Sequence, residues 1–250
     1  MSNHLSLRSG NPVLNANTFI QRQTTIDTGT MTITGTVNKT ALGLLLLMTT
    51  AIFTWNMAPT DPRISALMMV GIFGGLIAAI ITVFKRHLAP YTTPIYALLE
   101  GLALGGISRF FETLYPGIVN QAVFLTFGTL AALLFAYQSG LIKPTENFKL
   151  GIVAATGGIF FVYIISFILG LFGVQVPLIH SNSNFGILFS FGVVVIAALN
   201  LVLDFDFIEE GAEIGAPKYM EWFGAFGLLV TLVWLYLEIL HLLAKLQSRR

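Results

Sequence analysis

The chain has 250 residues, 55% of them hydrophobic and only 10% charged, and its mean hydropathy is +0.81. Soluble domains carry roughly 25% charged residues, so this composition excludes a water-exposed surface and points to lipid as the solvent for most of the chain. A net charge of +1 excludes the basic face that nucleic-acid binding needs. The lack of cysteine excludes disulfides, a thiol nucleophile and a Cys-ligated metal site.

The opening stretch "MSNHLSLRSGNPVLNANTF" has no apolar h-region, so no cleavable signal peptide is expected. Residues 1 to about 38 are rich in Ser, Thr and Asn with little periodicity, which predicts a polar, mobile tail. A single polytopic membrane domain, 39–250, is expected to follow it. Long apolar runs then alternate with short polar breaks. A helix needs about 20 apolar residues to cross the hydrocarbon core. The runs are Ala41–Ala58, Ile64–Phe84, Pro94–Phe111, Ile118–Ser139, Phe148–Phe172, Phe185–Phe207 and Glu221–Leu246, about seven spans. The third is the least apolar, because Glu100 and Arg109 lie inside it. Backbone groups in lipid must be satisfied within the segment, which makes an all-α bundle the expected fold. Barrel strands would alternate over about ten residues, and these runs do not.

Small residues recur in the spans, as in "GIFGG" (Gly71, Gly74, Gly75) and "GLALGG" (Gly101, Gly105, Gly106). Gly101 and Gly105 form a GxxxG pair, a signal for close helix packing. The breaks "APTDPR", "KRHLAPYTT" and "KPTEN" are too short for a soluble domain. With seven spans, the N-terminal side carries eight Lys and Arg residues (8, 22, 39, 85, 86, 143, 149, 218). The other side carries five (63, 109, 245, 249, 250). The bias predicts a cytoplasmic N-terminus.

Ionisable groups inside spans cost about 2.5–3.5 kcal/mol at a helix centre on insertion scales, so each one is informative. Glu238 follows sixteen uncharged residues, Trp222 to Leu237, and is a candidate proton-exchanging group. Asp204 closes the run "GILFSFGVVVIAALNLVL". Asn200, four residues earlier, shares its face and is expected to offer a further oxygen to the bundle interior. Asp206 faces elsewhere, and Glu209 and Glu210 belong to the wet end of the sixth span. Glu100 needs a partner within the bundle. Arg109, nine residues on, is too far along the helix to be that partner and is expected to meet another helix.

Other chemistries lack their residues. His4, His87, His180 and His241 are scattered and HExxH is absent, so no transition-metal site is expected. Glu238 and His241 supply only half of a di-iron helix pattern. Neither a GxSxG elbow nor a Gly-x-Gly-Asp motif occurs, so no enzyme is expected. A retinal protein would need a lysine in the middle of the last span, and Lys245 lies at its end.

"LDFDFIEEGAEIGAPKYMEWF" followed by "WLYLEILHLLAKL" resembles the C-terminal third of the Bax inhibitor family, the transmembrane Bax-inhibitor-motif proteins. Asp204, Glu210, Ala212, Glu213 and Tyr219 fall into the family's register, and Glu238 stands where the family has Asp. "PIYALLEGLALGGISRFFE" and the polar start "RSGNPVL" are similar to the bacterial long branch. The resemblance implies six helices around a central, acidic seventh, in the inner membrane. It implies a pH-sensitive calcium leak channel gated by two carboxylates, here Asp204 and Glu238, with Glu100, Asn200, Asp206 and Arg109 as secondary polar groups. No cofactor is implied beyond calcium as the transported ion. The two carboxylates are 34 residues apart. With the turn near Pro217, their depths differ by roughly 12 Å, so direct contact needs a shifted turn or a broken helix. The alternative reading is a membrane-embedded regulator of a quality-control protease, without transport, with the polar tail as its handle.

The orientation has a direct check. A cysteine placed in the tail of this cysteine-free chain should stay unmodified when intact cells meet an outward-only thiol reagent, and modification would reverse the topology.

Overall fold

A computed structural model of the chain describes residues 29–58, 60–173 and 183–249. Among these, seven long helices run in order: α1 (Ile33–Trp55), α2 (Arg63–Phe84), α3 (Ala89–Leu114), α4 (Ile118–Gln138), α5 (Glu146–Leu171), α6 (Asn184–Glu213) and α7 (Met220–Gln247). All but α3 are long and apolar enough to cross a membrane. The seven apolar runs correspond to these helices one for one. Residues 33–38, expected to belong to the polar tail, form the first turns of α1. The tail's residues 1–28 lie outside the described residues.

Local chemistry sets several helix starts. Thr32, Thr145 and Ser183 accept backbone N–H groups of Gly35, Phe148 and Gly186 at the starts of α1, α5 and α6, as hydroxyl N-caps do. At the start of α4 the work falls to the Glu112 carboxylate, which accepts from the N–H groups of Gly117 (2.6 Å) and Val119 (3.2 Å). Gly215, in the left-handed region at φ 66°, turns the chain out of α6 toward Pro217.

The helix least suited to lipid is one of the most enclosed. α3 lies between α1 and α2, and glycines set both contacts. A Cβ on Gly101 would strike the Leu47 carbonyl and the Thr50 hydroxyl of α1; one on Gly105 would strike Ala51 O and Thr54 Oγ1. On the other side, a Cβ on Gly71 of α2 would lie 2.6 Å from Leu99 O and 2.7 Å from Ala103 N. Such approaches leave backbone against backbone, the way small residues join membrane helices. The Thr50 and Thr54 hydroxyls are turned back onto carbonyls of their own helix, so no donor is left bare at this contact.

α7 is the centre. It packs on α1, α3, α4 and α6 and carries the longest list of buried side chains, from Glu221 to Ala244. α5 is the opposite case. It packs along α6, and Ile152 is its one buried residue. Two clefts, of about 300 and 680 Å³, lie beside α1 and α4. Neither is lined by Asp204 or Glu238.

Two alanine substitutions should move stability in opposite directions. Gly101→Ala overpacks the α1–α3 contact and should cost about 1–3 kcal/mol. Gly157→Ala on α5 has no neighbour within 4 Å of the new Cβ and should be neutral or gain up to about 1 kcal/mol by helix propensity. Thermal unfolding in detergent reads both.

Candidate functional site

Asp204 comes nine residues before the C-terminal end of α6 and faces α7. The face it meets is built of small residues: a Cβ on Gly227 would lie 3.4 Å from its Oδ1, and Thr231, one turn on, is the polar side chain beside it. Its Oδ2 is buried and takes no hydrogen bond among the described residues. A buried carboxylate oxygen without a donor is rare in folded proteins. The lone pairs of Oδ2 are left without a donor among the described residues.

Glu238 lies deeper along α7 and is 6% exposed. Its Oε1 accepts from the Tyr163 hydroxyl of α5 at 2.9 Å and from Trp234 Nε1, one turn back, at 3.2 Å. Lys245, two turns on, donates to Ser190 Oγ (2.7 Å) and the Gly186 carbonyl (3.3 Å) of α6. Asp204 and Glu238 therefore have different partners. Glu238 is seven residues beyond Thr231, roughly 10 Å along the helix. The turn at Gly215–Tyr219 sets them at different depths, each with its own neighbours.

The secondary residues are spread over three seams. Asn200 does not join Asp204: its Nδ2 donates to Thr156 Oγ1 of α5 (2.9 Å) and to its own helix at Ile196 O (2.8 Å). Asp206 pairs with Lys149 of α5 at 2.6 Å. Glu100 points its carboxylate at Gly75 of α2, 2.8 Å from where a Cβ would sit. Arg109 finds its partner on another helix, lying 5.6 Å from the Trp55 ring of α1. Its Nε is buried without a hydrogen bond among the described residues. Glu209 and Glu210 are exposed, and Glu209 accepts from the Tyr137 hydroxyl.

Sequence reasoning missed the most heavily bonded acid of all. Glu221, in the first turn of α7, is fully buried. It accepts from the Lys39 ammonium, from Lys218 Nζ (2.8 Å), and from both the backbone N–H (2.9 Å) and hydroxyl (2.8 Å) of Thr32. Gly35 makes room for it, since a Cβ there would overlap the carboxylate. Next to it, Met31 N donates to Ala216 O at 2.7 Å. The Met31 side chain, 2% exposed, lies against Gly211 and Gly224. Together these contacts tie the strand-like entry to α1 onto the α6–α7 turn. An acid in the first turn of a helix was the available signal, but its partners are 182 and 189 residues away in sequence. Removing one member of a buried ion pair leaves the other unpaired. Glu221→Ala should lower stability by about 3 kcal/mol, read as a fall in the unfolding midpoint in detergent, with Glu221→Gln intermediate. An unchanged midpoint for Glu221→Ala would refute the tie.

The family model described as "Bax inhibitor 1 like" matches residues 11–248, which include every helix above. No curated protein and no solved structure matches the chain. Helices that can cross a membrane, a buried acidic last helix and this match agree: the chain is an integral membrane protein and belongs to the Bax inhibitor 1 like family.

Proposed function

We propose that the protein is a cation leak pathway, calcium by preference, whose flux depends on pH. The observation that carries this is the Asp204 oxygen, buried inside the bundle with no donor bound to it. Glu238 adds a second intramembrane carboxylate on the central helix. Calcium takes six to eight oxygens when it is held tightly. Two separate carboxylates supply too few for a storage site, which suits an ion that must leave as readily as it enters. The chemistry asked of the protein is passage, with no bond made or broken and no resident cofactor.

Protonation would cancel the charge that a cation meets. The groups facing Asp204 are Gly227 and Thr231 of α7. Those around Glu238 are Tyr163 of α5 with Trp234 and Lys245 of α7. The lysine and arginine bias supports a cytoplasmic N-terminal side, and the resemblance to the bacterial long branch supports an inner-membrane setting.

In liposomes loaded with a calcium dye, the protein should raise calcium entry and the rate should change with pH. Asp204→Asn and Glu238→Gln each hold one site neutral. Both should lower the flux several-fold and flatten its pH profile, and variants that keep the wild-type rate and profile would overturn the assignment.

A further inference from the structure

Three of the acidic and amide groups above share one neighbour. Lys149, Thr156 and Tyr163 of α5 reach Asp206, Asn200 and Glu238 respectively. The α5 residues are spaced seven apart, so they lie on one face and drift only about 20° per step. Each step is about 10.5 Å along the axis, and the two steps cover about 21 Å of a hydrocarbon core about 30 Å thick. Past Glu238, Lys245 meets Ser190 and Gly186 near the opposite end of α6. Polar groups thus run in file along the seam between α5 and the α6–α7 pair.

The rest of α5 offers little to hold it there. Ile152 is its one buried residue, and Leu150, Phe161, Ile165 and Ile168 are exposed. Apolar side chains in lipid gain nothing by leaving lipid for another helix. Among the described residues, these three polar contacts are the side-chain bonds that attach α5 to its neighbours.

We infer that this seam is the route of the ion: the carboxylates of Asp206 and Glu238 lie along it with the Asn200 amide between them, closed by Lys149, Thr156 and Tyr163 and opened when α5 steps away. Lys149 acts as a tethered cation, its ammonium occupying the place on Asp206 that a permeant ion would take. Tyr163 latches the deep end. Asp204, two positions from Asp206, faces α7, and its charge acts on the file from that side. The inference rests on the leak reading for its purpose, but the seam can be tested without flux.

The chain has no cysteine, so single thiols report cleanly. Ile152→Cys lies on the seam face and keeps all three polar contacts; Phe161→Cys lies on the lipid face. In vesicles, a small charged methanethiosulfonate should modify the Ile152→Cys thiol roughly tenfold faster, because only a hydrated thiol ionises. Adding Tyr163→Phe should raise that rate further, leave the Phe161→Cys rate alone, and increase calcium flux several-fold. Equal rates at the two thiols would overturn the seam even if the wild type leaks calcium. Wild-type leak that Tyr163→Phe leaves unchanged would overturn the latch. Fast seam labelling with no calcium flux in any variant would instead refute the leak reading and leave a hydrated seam standing.

Discussion

Water's absence from the bilayer core governs how this chain holds together. Between helices in lipid there is no hydrophobic force to spend, because the tails are as apolar as leucine. Two devices remain: backbones brought close by small residues, and polar groups that find partners on neighbouring helices. The protein uses them in different places. α1, α2 and α3 are joined by glycines with carbonyls and hydroxyls packed against them. α5, with one buried residue, is joined by side-chain polar contacts. An interhelical hydrogen bond in a membrane contributes on average about 0.6 kcal/mol. A few such bonds position a helix without welding it.

α7 carries both a structural acid and a candidate functional one, and their surroundings separate the roles. Glu221 at its start is surrounded by two ammonium groups and two donors from Thr32, so its charge is fully answered. Glu238 receives two neutral donors on a single oxygen. Asp204, across from α7, has one oxygen with no donor among the described residues. The most fully bonded acid sits at the α6–α7 turn, and the two less satisfied ones lie further into the membrane. That arrangement places the rigid tie at the edge and the unanswered oxygens inside.

Much of this was legible in the residues. The apolar runs map onto the helices because a spanning helix must be about 20 apolar residues long. The third run looked weakest for its Glu100 and Arg109, and the same residues explain its place: α3 is shielded by α1 and α2. The depth offset of Asp204 and Glu238 follows from counting residues on either side of Pro217. What counting missed was azimuth. Asn200 and Asp204 share a face by spacing, yet one is drawn to Thr156 on α5 and the other to α7. Two neighbours can divide a single face of α6 between them, and no spacing rule says where the division falls.

Composition and run length by themselves determined a helical membrane protein with its acids scarce and deep, since lipid leaves the chain few ways to satisfy its backbone. The residues quoted from its last third were enough to suggest the family. Which partner each acid has was decided only when the helices packed. Glu221 meets Lys39 and Thr32 across more than 180 residues of sequence, and Glu238 meets Tyr163 across 75. Such contacts depend on the rotation and depth of two helices at once. A linear pattern specifies one helix at a time, and the pairing of polar groups in lipid is a property of two.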